Sequence, residues 1–252
     1  MSRRRVAGFR REPAALLHKE DGGRVAVVSL NRPRVLNAYG IEMRDALYEA
    51  LLAVRDDPEV RVMVLRGNGP AFSTGGDLRE FGSAPSPYVA RSTRWRRDVW
   101  GVLWSLPQIT VAAVHGFVVG GGFEMALLCD HCIAARDARF RLPETGLGMI
   151  PGVGGTQTLP RLIGAGRAAD LVLTGRWLDA REARRLGIAA RVVAPARLRA
   201  AAAAWARRAA ALEPALVSAL KRAVNDGLDM CIGGGLACER RLAVARETRL
   251  KE

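Results

Sequence analysis

The sequence has no run of the ~18–20 uninterrupted apolar residues that a membrane-spanning helix requires, and no apolar core follows the basic start MSRRRVAGFRR as a secretory signal demands. That start is also too short and too poor in serine, and too soon followed by Glu12, for an arginine-rich organelle presequence. A cytoplasmic protein with no membrane partner is expected. Four cysteines in 252 residues (Cys129, Cys132, Cys231 and Cys238) are too few and too clustered for a disulfide framework. CDHC supplies one Cys-x-x-Cys spacing but no second close pair, so no metal site is expected. The chain contains no G-x-x-x-x-G-K-[ST], H-E-x-x-H or G-x-S-x-G, and its three histidines assemble into no nucleophilic triad. His115, at the end of an apolar strand, reads as structural, and SALK at 218–221 matches S-x-x-K by chance within helix.

What is present is an ordinary globular composition, 49% hydrophobic and 25% charged. The formal net charge of +14, nearly all arginine, favours anionic partners, with nucleic acid and a phosphate-bearing cofactor as the candidates. The arginines are scattered, however, and neither a zinc-finger spacing nor an RNP-type aromatic strand accompanies them. Nucleic acid is therefore an unlikely partner.

Along the chain, AALLHKE and RVAVVSL read as a hairpin turning at DGG. Residues 40–55 carry Ile41, Met43, Leu47, Leu51 and Val54 at helical spacing. VRVMVLRG, ITVAAV, HCIAA and ARFRL read as short strands, and residues 87–106 as a helix rich in tryptophan and arginine. Strands and helices alternate, which predicts an α/β fold. From about residue 195 three helical segments follow one another without a strand, which divides the chain into a core over 1–195 and a helical region over 196–252.

Three consecutive glycines stand in GFVVGGGFEMALLCD, just before an apparent helix. Each costs about 1 kcal/mol against alanine in a helix interior, so the run makes sense where backbone turns tightly or meets something closely. A second glycine-rich loop, STGGDL, also follows a strand. Both present bare N–H groups that can bind an anion, and two such donors aimed at one point form an oxyanion hole. Glu124 follows the glycines in the first helical turn, and Glu144 stands at the mouth of PETGLGMIPGVGG. Two carboxylates beside an oxyanion hole can share acid and base work. Singly, each also fits an ordinary place, Glu124 in a helix's first turn and Glu144 beside an N-cap.

With these motifs in order, the chain resembles the crotonase, or enoyl-CoA hydratase/isomerase, superfamily. The likeness runs through NRPRVLNA, AFSTGGDLRE, ITVAAVHGFVVGGGFEMALLCD, FRLPETGLGMIPGVGGTQTLPRLIG and LTGRWLDAREARRLGIAARVV, most of residues 14–240. It implies a spiral of ββα turns with a C-terminal helical trimerisation region, and hence a homotrimer or a hexamer. It implies Gly76 and Gly121 as oxyanion donors, Glu124 and Glu144 as the catalytic pair of a hydratase acting on an acyl-CoA, and no cofactor beyond the coenzyme A of the substrate. CoA contacts fall on Arg34, Leu36, Asp77, Leu78 and Arg79. The other chemistries of the family are double-bond isomerisation, decarboxylation and thioester hydrolysis, and some basic members bind RNA. Members usually continue past the last helix with an E-G-x-x-A-F type segment that closes the CoA site. Here RETRLKE stands at that place, and IGGG at 232–235 is expected to interrupt the preceding helix.

Overall fold

The structure is a computed structural model that describes residues 12–249 apart from 87, 90, 91 and 93–95. The basic N-terminal segment therefore lies outside the described residues. The hairpin forms as expected, β1 (Ala15–Glu20) pairing antiparallel with β2 (Val25–Leu30) across a turn in which Gly22 takes φ 64°. β3 (Val62–Gly67), β4 (Ile109–Val114), β6 (His131–Ala135) and β9 (Arg191–Val193) then add in parallel, giving the order β1-β2-β3-β4-β6-β9. A second sheet, β5 (Phe117–Val119), β7 (Arg139–Arg141) and β8 (Leu178–Asp179), is ordered β5-β7-β8.

The central strands of the larger sheet, β2, β3 and β4, are mostly apolar because both faces are covered. On β2, Ala26, Val28 and Leu30 face a core built with Met43, Leu47 and Leu51 of α1 (Ile41–Arg55), whereas Val25 and Val27 face the opposite way. That opposite face is covered by α7 (Leu198–Ala210), whose Ala202, Ala206 and Ala209 bring the helix close to Val64, Val111 and Ile133. The alanine run is thus the contact surface of a helix on a sheet.

Between them lie α2 (Val99–Ser105), α3 (Gly121–Leu128), α4 (Gly155–Ile163), α5 (Ala165–Thr174) and α6 (Ala180–Arg185). The long helix expected over 87–106 is interrupted, because the Asp98 carboxylate accepts the Gly101 N–H at 3.0 Å and starts a new helix there. Beyond α7, α8 (Pro214–Leu228) and α9 (Ile232–Arg249) pack as a hairpin. The expected interruption at IGGG is corrected: residues 232–235 are the first turn of α9, and the break falls before them, at Asp229–Cys231. Among the described residues no helix is long and apolar enough to cross a membrane.

Candidate active site

The two glycine loops leave β3 and β5 and are sewn together at Ser73. Its N–H donates to Phe117 O at 3.1 Å, and its carbonyl accepts the Val119 N–H at 3.0 Å. Gly75, at φ 79°, comes so close that a Cβ there would lie 2.7 Å from Val119 O and 3.0 Å from Gly121 N. No side chain fits, which is the physical reason for glycine at this point. Gly76 forms a parallel bridge with Tyr39, in which Tyr39 N–H donates to Gly75 O and Asp77 N–H to Tyr39 O. This pattern turns the Gly76 N–H to the other side of the ladder. Gly121 is the first residue of α3, so its N–H has no intrahelical acceptor and sits at the positive end of the helix. The two expected donors, Gly76 and Gly121, are brought to one place.

The two glutamates flank the same turn in different electrostatic settings. Glu124 is buried, and its Oε1 accepts the Val153 N–H at 3.0 Å and the Gly155 N–H at 2.8 Å. Both donors belong to the loop entering α4, shaped by Gly154 at φ 124°. Two N–H groups at a helix start thus hold this oxygen in place. Glu144, opening a 3₁₀ turn over Glu144–Leu147, is half-buried, and its Oε2 is shielded with no hydrogen-bond partner among the described residues. Burial pushes its carboxyl up to about 6, with the nearby Glu124 charge adding to the shift against a backbone hydrogen bond that opposes it. One carboxyl is held by N–H donors and its neighbour is biased toward the acid form, an arrangement suited to paired base and acid work.

Of the expected CoA contacts, Leu36 (φ 52°) offers its carbonyl to Thr74 N–H at 3.1 Å, which lays the segment 32–39 beside the first loop. Arg34, Leu78 and Arg79 are exposed at this rim. Asp77 differs from them. It is buried, and Arg79 holds its carboxyl far below the usual carboxylate range through bonds of 2.9 and 2.7 Å, helped by Arg32 Nη1 at 3.3 Å. Its charge fastens Arg79 and Arg32 rather than facing outward.

Trp100 and Trp104, four residues apart on α2, part company. Trp100 Cη2 stands 3.5 Å from the Cβ position of Gly121, and its ring lies 5.0 Å from that of Tyr39, whereas Trp104 is exposed. His115 Nε2 lies 2.9 Å from Gly69 O, a loop-holding contact. The Cys129 and Cys132 thiols are both pushed up by burial, Cys132 to about 12, which favours the protonated thiol over the nucleophilic thiolate. Among the described residues no group of three His, Cys, Asp or Glu side chains is placed to hold a metal.

Sequence reasoning missed the N–H groups of Val153 and Gly155 and the bonds by which Ser73 joins the two loops. The glycines of PGVGG were the available signal for the first.

The family described as enoyl-CoA hydratase/isomerase matches residues 20–249. A probable enoyl-CoA hydratase of Rhizobium meliloti is 40% identical over 225 residues, 88% of this chain and 86% of that protein. A short-chain-enoyl-CoA hydratase of Clostridium acetobutylicum is 37% identical, over 89% and 86%. Among solved structures, a putative enoyl-CoA hydratase from Thermobifida fusca in complex with CoA superposes with a TM-score of 0.87 at 32% identity, covering 95% of each chain.

Proposed function

The chain belongs to the enoyl-CoA hydratase/isomerase family, and from that premise we infer that it is an enoyl-CoA hydratase, adding water across the 2,3 double bond of an enoyl-CoA thioester. The observation that carries this reading is the pair of carboxyls, one held by backbone N–H groups and one with its proton affinity raised by burial, beside the close contact of the two glycine loops at Gly75 and Gly121.

In this mechanism the thioester oxygen sits between the N–H groups of Gly76 and Gly121. They draw electron density from the double bond and leave Cβ electrophilic. Water held by Glu124 and Glu144 attacks Cβ, and Glu124 takes the proton it releases. The electron pair of the double bond moves to form the enolate, whose negative oxygen the two donors stabilise by about 2.7–4 kcal/mol each. Glu144 delivers a proton to Cα, and proton exchange between the carboxyls and solvent restores both. The addition transfers no electrons to an outside acceptor, and the N–H pair supplies the polarisation, so the reaction requires no cofactor beyond the substrate's own coenzyme A. The exposed Arg34 and Arg79 are suited to CoA phosphates, Leu36 and Leu78 to its apolar stretches, and Asp77 to holding Arg79 in place.

The protein acts in the cytoplasm as a homotrimer that can stack into a hexamer, with residues 196–252 as the oligomerisation region on the 1–195 core. Supporting this, Leu216, Leu220, Val224 and Leu228 form an exposed apolar stripe at helical spacing on α8. The test is loss of the enoyl thioester's ultraviolet absorbance across a panel of enoyl-CoAs, with mass analysis of the product. Gain of one water supports the reading. Migration of the double bond without water, or release of free CoA, overturns it.

A further inference from the structure

Asn37 is wholly buried and adopts φ 56°, a left-handed conformation that asparagine tolerates better than most residues but that still needs support from its surroundings. The support here is a cluster of bonds aimed at the first glycine loop. Its Nδ2 donates to the carbonyls of Asn68 (3.0 Å), Ala71 (2.8 Å) and Phe72 (3.1 Å), gathering the turn that leaves β3. Its Oδ1 accepts the Arg32 N–H at 2.8 Å, which fixes the amide's orientation. Its own carbonyl accepts the Ser73 hydroxyl at 2.8 Å, and that same oxygen, Ser73 Oγ, accepts the Gly75 N–H at 3.1 Å. Asn37 therefore grips the loop on both sides of Ser73 and ends one residue short of Gly76.

Through Ser73 the grip reaches the second loop as well. Ser73 exchanges backbone bonds with Phe117 and Val119, and a Cβ on Gly122 would lie 2.7 Å from the Ser73 Cβ and from its carbonyl oxygen. The spacing of the two N–H donors thus depends on where Asn37 holds Ser73. Misplacement of a catalytic group by about 1 Å can cost on the order of 100-fold in rate.

We propose that Asn37 is the positioning residue of the oxyanion hole, setting the separation of the Gly76 and Gly121 N–H groups through Ser73 without itself touching substrate. This rests on the assignment of those two glycines as the donors.

Asn37→Gly is the informative variant, because glycine keeps the left-handed backbone at no steric cost and removes only the side-chain grip. Two quantities are read: the kcat and KM for hydration, and the carbonyl stretch of a saturated acyl-CoA, carbon-13 labelled at the thioester carbonyl, when bound. In the wild type the bound carbonyl stretch falls below its value in water, as two donors polarise it. In Asn37→Gly the expected outcome is recovery of much of that shift, with kcat lowered about 10- to 100-fold and KM within about threefold. A role confined to stability moves the melting temperature and leaves the folded enzyme's spectrum unchanged. A folded Asn37→Gly with wild-type kcat and the wild-type stretch overturns the proposal, while a wild type with no downshift overturns the donor assignment instead. Should Asn37→Gly not fold, Ser73→Ala, which cuts the relay from the Asn37 carbonyl through the hydroxyl to the Gly75 N–H, is read the same way. A partial recovery of the shift supports the proposal, and a wild-type stretch and kcat overturn it.

Discussion

Glu144 Oε1 stands 2.8 Å from the point that a β-carbon on Gly120 would occupy. Gly120 itself takes φ 52° and ψ −127°, a region open essentially to glycine alone. The first glycine of the trio thus leaves room for the Glu144 carboxyl, and in the proposed mechanism the second supplies the N–H donor. Gly120→Ala is expected to push the Glu144 carboxyl aside and strain the turn, lowering kcat for hydration about 100-fold while CoA-ester affinity changes little. Steady-state kinetics alongside a direct binding measurement check this. A Gly120→Ala enzyme with wild-type kcat contradicts the assigned position of Glu144.

The raised Glu144 carboxyl makes a second prediction, on stability. Its folded value of about 6 exceeds the ordinary 4.5, so the native state holds the proton more tightly than the unfolded chain does. The stability this contributes is complete below about 4.5 and is lost as pH rises through about 6. Glu144→Gln removes the dependence. The difference in melting temperature, variant minus wild type, is expected to rise by about 2–4 °C from acid to neutral pH. A difference that stays flat across this range contradicts the burial-raised value.

Trp100 bounds the space beside Gly121 and Trp104 does not. Trp100→Ala is expected to shift kcat/KM toward longer or bulkier enoyl chains by about 10-fold relative to a four-carbon substrate, since even one methylene of pocket contact is worth about 1–3 kcal/mol of discrimination. Trp104→Ala is expected to leave the ratio unchanged. The reading fails if Trp100→Ala lowers every substrate equally along with the melting temperature.

Much of this site was legible in the sequence, because its chemistry is carried by short local signals. The glycines of VVGGGFEM and STGGDL mark the places where backbone meets backbone, and Glu124 and Glu144 stand within a few residues of a loop or helix start. The alternation of β3, β4 and β6 with helices was equally local, as these short, mostly apolar runs of five or six residues are covered on both faces. What stayed hidden acts through space. The Gly155 N–H reaches Glu124 across 31 residues, and Asn37 Nδ2 reaches Phe72 across 35. No periodicity encodes either contact. The start of α2 was obscured because Asp98 lies in a run of tryptophans and arginines whose spacing reads as one helix, and only its bond to Gly101 N–H reveals the cap. The start of α9 was misplaced because three glycines at 233–235 read as a break, yet they lie within the helix, with Gly234 against Met230 and Gly235 against Gly227.

The two-carboxyl mechanism meets its most direct test in hydration rates for wild type, Glu124→Gln and Glu144→Gln, with binding of a saturated acyl-CoA measured on the same preparations. Glutamine keeps the shape of each side chain but cannot exchange the proton. The mechanism predicts that kcat falls by about 1,000-fold or more in Glu144→Gln and by at least about 100-fold in Glu124→Gln, with acyl-CoA affinity within about threefold of wild type. Near wild-type kcat in both folded variants contradicts it.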